Sequence, residues 1–163
     1  MENISRRIYK TLNEDYFDGD RITVDEDEFT EEDFIGSVKS DVGIYFGDPC
    51  YVLSDELYNV WVDKYDCSDG TIDTGSGIFV VHGTKYGDGE YYGYNYPNDY
   101  PFPVDSGTLA IIPVEMIDPE KENRSNELGH IFNGSKEGML SYKNGVFKID
   151  FDNKDSMLVD TNM

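Results

Sequence analysis

Few side chains in this sequence are equipped for covalent or metal chemistry: the cysteines Cys50 and Cys67 and the histidines His82 and His130. A cysteine nucleophile needs a nearby base and a lowered pKa. Neither histidine sits in a local catalytic signature, and Asp48, two residues before Cys50, raises a thiol pKa rather than lowering it. Cys50 therefore reads as a buried structural thiol after a turn. The same four residues just suffice for zinc, but no pair has a spacing such as Cys-x-x-Cys. A calcium loop is approached where Asp66, Asp69, Gly70 and Asp73 fall together. With Gly70 at loop position six, Tyr65 and Cys67 take positions one and three and Ser76 the twelfth. An EF-hand needs Asp or Asn oxygens early and a bidentate Glu at the end, so a solvated turn is the simpler reading. A glycosidase carboxylate pair would not stand out among 34 Asp and Glu. No catalytic residue, metal ligand or cofactor is assigned.

The acids themselves are the stronger signal. Against those 34 carboxylates stand 13 Lys and Arg, for a net charge of −21 over 163 residues. Between Ser40 and Glu120 the basic side chains are Lys64 and Lys85, against fifteen carboxylates. Such a surface repels phosphate and attracts basic surfaces. There is no Walker motif and no glycine fingerprint. A nucleotide sponge would have to draw on Arg6, Arg7, Arg21, Arg124 or the C-terminal lysines. Spread evenly over a fold of this mass, the charge is about one per 400 Å², against about one per 100 Å² on B-DNA. Imitating DNA would require gathering the acids on one face; spread out, they serve solubility.

Two stretches are candidates for contact. One is the aromatic loop, with Tyr92, Tyr94, Tyr96 and Tyr100 set among Gly, Asn and Pro and flanked by Asp88, Glu90 and Asp99. Rigid tyrosines on loops give contact area at low entropic cost, although alternate tyrosines also pack a strand's buried face. The other is the run Asp25, Glu26, Asp27 and Glu28, within an acidic segment over 14–33 that reads as an arm covering the domain or a partner.

The elements that position these residues are mostly β. Aromatics at 14% argue for a folded chain, and the length suits one domain. Ile4, Ile8 and Leu12 predict a short N-terminal helix over 3–12. Thr30 caps a turn of Glu31, Glu32 and Asp33. Short strands are expected over 42–46 and 50–53, around Gly47-Asp48-Pro49. Ser54 then caps a helix over 54–64, with Leu57, Val60 and Trp61 as its buried stripe. Residues 66–76 read as a loop, and strands follow at 77–82, 89–94 and 108–114. Prolines 97, 101 and 103 exclude a central strand over 95–103. A three-stranded meander is expected from 130–132, 139–142 and 146–151, with Asn144-Gly145 as its hairpin turn. Asp41-Val42-Gly43 to Pro49 echoes Asp105-Ser106-Gly107 to Pro113, so two related strands could lie about a pseudo-twofold in one sheet. The expectation is an α+β fold, a mostly antiparallel sheet with one packed helix. It divides into an acidic arm over 1–34, a β-rich domain over 35–156 and a frayed tail over 157–163. No apolar run of signal-peptide or membrane-spanning length occurs, which places the chain in a cytoplasm, away from membranes.

The runs Ile35 to Leu53, Gly83 to Tyr94 and Val104 to Pro113 carry Asp48-Pro49-Cys50-Tyr51, Gly87-Asp88-Gly89-Glu90-Tyr91 and Asp105-Ser106-Gly107. In these the chain resembles a group of small uncharacterised phage and bacterial proteins with an Asp-Pro-Cys-Tyr signature, a Gly-Asp-Gly-x-Tyr turn and an Asp-Ser-Gly motif. In many of those proteins the Asp-Ser-Gly element comes first, whereas here it follows. The resemblance implies a small β-rich fold from a mobile element and supplies no activity. Together with the charge, it points to a phage-type inhibitor that occupies the basic, nucleic-acid-binding surface of a host defence or transcription protein, without itself binding nucleic acid. The alternatives are a protein that sequesters a nucleotide signal and a Cys- or carboxylate-dependent hydrolase.

Overall fold

A computed structural model describes residues 29–94, 100–152 and 156–162. The helix expected over 3–12 and nearly all of the acidic arm lie outside these residues. The described chain opens with the Thr30-capped turn, a single 3-10 turn at Glu31–Asp33 closed by a reciprocal Thr30/Asp33 capping box. The strands are β1 (Phe34–Ser40), β2 (Gly43–Gly47), β3 (Gly70–Asp73), β4 (Ile78–Gly83), β5 (Gly89–Tyr94), β6 (Tyr100–Val104), β7 (Thr108–Pro113), β8 (Gly129–Asn133), β9 (Lys136–Lys143), β10 (Val146–Phe151) and β11 (Ser156–Asp160). Two helices join them among the described residues, α1 (Asp55–Tyr65) and α2 (Glu122–Glu127).

The strands form two antiparallel sheets, one in the order β1-β9-β10-β11-β5-β6 and one in the order β3-β4-β7-β2-β8. The fold is thus mostly antiparallel β with few helices, as an α+β reading expects. Period-two alternation directs Leu140, Phe147, Ile149, Met157 and Val159 of the first sheet against Ile44, Phe46, Val80, Leu109 and Ile111 of the second. The second sheet is buried on its other face too. There Tyr45, Phe79, Val81, Ala110 and Ile112 meet Val52, Leu53 and Trp61. Burial on both faces explains why β2, β4 and β7 read as near-continuous apolar runs.

Helix α1 forms as its sequence requires. The Ser54 hydroxyl accepts from Leu57 N, Asp55 and Glu56 fill the first turn, and Lys64 lies in the last. Trp61 is 1% exposed. Its ring lies 6.2 Å from that of Phe79, and its indole N–H donates to Ser68 O.

Several sequence expectations are corrected. Residues 50–53 are not a strand, because Pro49 starts a 3-10 turn under the Asp48 cap. The stretch 66–76 is not all loop, since β3 pairs with β4 inside it. The meander is β9-β10-β11, and β8 pairs with β2 in the other sheet instead. The tail expected to fray over 157–163 holds most of β11, an interior strand whose Met157, Leu158 and Val159 are fully buried. Helix α2 was not anticipated, because its residues, ENRSNE, carry no apolar stripe. The proline-bearing stretch forms β6, an edge strand, as proline's missing N–H allows. Asn144 and Gly145 both take positive φ, as a type I′ hairpin turn requires. The two echoing segments are direct neighbours, with Ile44 opposite Pro113 and Gly47 opposite Ala110.

Candidate functional site

The residues of the Asp-Pro-Cys-Tyr and Asp-Ser-Gly motifs, far apart in sequence, meet at one end of the sandwich. Strand β2 delivers Asp48 with no exposed surface. Its Oδ2 accepts from the amides of Asp105 at 2.6 Å and Ser106 at 2.7 Å. Its Oδ1 accepts from Cys50 N at 2.8 Å and from the Ser106 hydroxyl at 2.7 Å. Ser106 in turn shares a 2.6 Å hydrogen bond with the Thr108 hydroxyl. Four charge-assisted bonds occupy the lone-pair directions of one carboxylate. Tyr45 donates to the Asp48 carbonyl at 3.0 Å. Its ring crosses Gly129, where an added Cβ would lie 2.3 Å from Tyr45 Cε2. The arrangement clamps the start of β7 to the end of β2.

Cys50 is half-buried beside this clamp. Burial pushes its thiol up, and so do the charge and hydrogen bond of Asp48 and the charge of Asp105; Lys121 opposes them. Such a thiol is a poor nucleophile. Tyr51 is pushed up to about 12 by burial, then by Asp105, Asp48, Cys50 and Asp88. Tyr58 also reaches about 12, through burial and then Cys50, Asp48 and Cys67. The site therefore resists ionisation and disfavours further negative charge.

The other reactive candidates are dispersed. His82 stacks on Tyr142 at 3.7 Å, with Nδ1 2.7 Å from Gly83 O and Nε2 3.4 Å from Asp69 Oδ2. Burial pushes the His130 imidazole pKa down, and the ring meets Phe132 edge-on. Cys67 is exposed just beyond α1. Among the described residues no group of three or more His, Cys, Asp or Glu side chains is placed to hold a metal. In the stretch with the flavour of a calcium loop, the Tyr65 hydroxyl instead bridges the backbone N–H and C=O of Asp73.

Of the predicted contact residues, Asp88 and Glu90 are exposed, on the turn before β5 and on β5 itself. Tyr92 and Tyr94 stand on β5 opposite Asp160 and Leu158 of β11, and Tyr100 opens β6 opposite Gly93. Tyr96, Asp99 and Asp25, Glu26, Asp27 and Glu28 lie outside the described residues. What sequence reasoning missed is the company Asp88 keeps. Asp88 Oδ1 lies 3.8 Å from where a Cβ at Gly107 would stand, which sets its turn beside the Asp105-Ser106-Gly107 turn. Asp69 joins this end by accepting from Gly83 N at 2.9 Å, while Thr84 N donates to Gly107 O. Tyr86, 63% exposed, stands on the same turn as Asp88. The available signal was the pair of Asp-led turns at 48 and 105.

A groove of about 520 Å³ opens elsewhere, lined by Ser37, Lys39, Ile78, Glu115, Met116 and Glu137. Two carboxylates against one lysine make it unsuited to phosphate. Among the described residues no helix is long and apolar enough to cross a membrane. The chain matches no protein-family model, no curated protein and no solved structure, so its own residues carry the functional reading.

Proposed function

We propose that this chain is a non-enzymatic, phage-type accessory protein that inhibits by binding. Its target is a basic, nucleic-acid-binding surface of a host defence or transcription protein in the host cytoplasm. The observation that carries the reading is the approach of the Asp88 turn to the Asp105-Ser106-Gly107 turn, with Asp88 Oδ1 3.8 Å from where a Cβ at Gly107 would stand and Tyr86 exposed on the same turn as Asp88. Carboxylates around aromatic surface supply what such a contact needs. Charge steers the encounter and sets its salt dependence, while aromatics hold the complex once formed. The upward-shifted Cys50 thiol argues against the cysteine-hydrolase alternative. The carboxylates in the groove argue against a nucleotide-sequestering one.

The test is affinity capture from host cytoplasm with mass spectrometry, followed by binding kinetics on the captured partner. Association should slow steeply with salt. Reversing Asp88 and Asp105 to lysine should slow association, with Glu90 and Asp99 contributing less, and removing Tyr96 or Tyr100 should speed dissociation. Affinity that stays flat from low to high salt would reduce the acidic surface to a solubility device.

A further inference from the structure

Strand β1 ends the six-stranded sheet and pairs with β9 alone. Its one bulge falls between Phe34 and Gly36, so 36–40 run in regular register against β9, from Leu140 to Lys136. Alternate N–H and C=O groups of that stretch bond to β9; the others point away from the sheet. Among the described residues no backbone partner engages those outward groups.

The groove of about 520 Å³ lies along this open edge. Val38, 4% exposed, reaches it from the inner face of β1, and Ser37 and Lys39 reach it from the outer face. A cavity that meets both faces of a strand runs along the strand's edge. Its far wall is apolar, formed by Met116 and by Ile78, which is 42% exposed. Its charge is negative, with Glu115 and Glu137 against Lys39. Among the described residues no hydrogen bond or ion pair engages the Glu137 carboxylate. Strands β4 and β7 run from this groove, at Ile78 and Pro113, to the clamp end, at Gly83 and Thr108. The six residues of β4 set the two ends roughly 17 Å apart.

An open strand edge beside a groove suits an extended peptide: main-chain bonds hold it, and alternate side chains enter the groove. On the outer face it would meet Glu137, opposite Lys39, and on the inner side Ile78 and Met116. Two carboxylates against one ammonium, beside that apolar wall, select a peptide in which basic and apolar residues alternate. A second copy of this chain is disfavoured, because each carries a net charge of −21. We propose that the β1 edge binds an extended basic segment of a partner protein as an added strand, with a lysine or arginine toward Glu137 and Glu115 and an apolar side chain over Ile78. This site is separate from the Asp88 and Asp105 contact proposed above and stands whether or not that contact exists.

The probe is an acetylated pentapeptide alternating lysine and valine, titrated into the full chain and read by backbone amide shifts in NMR. Saturable shifts should gather at Ser37, Lys39 and Ile78, and a glutamate–valine peptide should bind at least about tenfold more weakly. Methylating the lysine amides and methylating the valine amides block opposite edges of the peptide, so one should keep binding and the other lose it. In the protein, Glu137→Lys should weaken binding about fivefold. Asp88→Lys with Asp105→Lys should leave it unchanged, which separates this edge from the clamp end. If Glu137→Lys disturbs the fold, read from Trp61 fluorescence, the peptide set decides, since it alters no protein residue. Shifts spread over the whole acidic surface would overturn the proposal, as would equal binding by the two methylated peptides or loss of binding in the Asp88 and Asp105 variant. A dimer of the protein alone that protects the amides of 37–40 would assign the edge to a second copy and overturn it too.

Discussion

The two Asp-x-Gly turns, at Asp41-Val42-Gly43 and Asp105-Ser106-Gly107, solve one problem in two ways. Each opens a strand buried on both faces, and the strands, β2 and β7, are antiparallel neighbours. Each is tied down by a carboxylate just beyond the end of the other strand. At the second turn, Asp48 takes the turn amides directly and has no exposure. At the first, the Ser40 hydroxyl takes the amides of Val42 and Gly43. Exposed Glu115 accepts from that hydroxyl at 2.5 Å and from Asp41 N at 3.4 Å. Similar connectivity thus carries different weight, because the Asp48 carboxylate is out of water and accepts four bonds, whereas that of Glu115 is exposed and accepts two.

The largest perturbation is Asp48→Ala, which takes the acceptor away from the amides of Cys50, Asp105 and Ser106 and from the Ser106 hydroxyl. It should cost about 3–5 kcal/mol of unfolding free energy in urea melts. A loss below that of the Glu115 variant would break the comparison. Gly129→Ala should follow at about 1–3 kcal/mol, because the Tyr45 ring must move from its place over the clamp. Tyr45→Phe, which removes the bond to the Asp48 carbonyl, should cost about 1 kcal/mol.

Glu115→Gln should cost under about 1 kcal/mol, discounted for its exposure. Its signature lies in pH. Burial pushes the Glu115 carboxyl up, but hydrogen bonds from Ser40 and the backbone outweigh it and hold the pKa below the usual value. A carboxyl lowered on folding adds stability above its unfolded pKa and loses it as pH falls through the folded one. The Gln variant should therefore show a flatter acid limb in melts taken from pH 6 downward; an unchanged limb would remove Glu115 from the turn's energetics. The mildest probe is chemical. Iodoacetamide at mildly alkaline pH should label exposed Cys67 and spare Cys50, whose thiol burial and Asp48 push up. Equal labelling in peptide maps would show the clamp end to be open.

Much of this was legible in the residues themselves. Ser54 and its following acids wrote helix α1, Asn144-Gly145 wrote the β9–β10 turn, and the prolines of β6 placed it at an edge. The echo between the two Asp-x-Gly segments suggested two related strands in one sheet, and the structure makes them neighbours. The clamp was half legible: Asp48 reads as a turn former, but nothing local says that it reaches Ser106, fifty-eight residues on.

What the sequence by itself determined is the local layer: where the chain turns, which residues alternate, and that its surface is anionic. Those depend on backbone sterics, caps and charge counts, which act within a few residues. Only the tertiary structure decided that β8 leaves the expected meander for β2, that 156–160 is an interior strand rather than a loose end, and that the Asp88 turn comes against the Asp105-Ser106-Gly107 turn. A period of two states which face a strand buries and is silent on which sheet receives it. That choice rests on contacts between residues far apart in the chain, where each strand gains only in the presence of its partner.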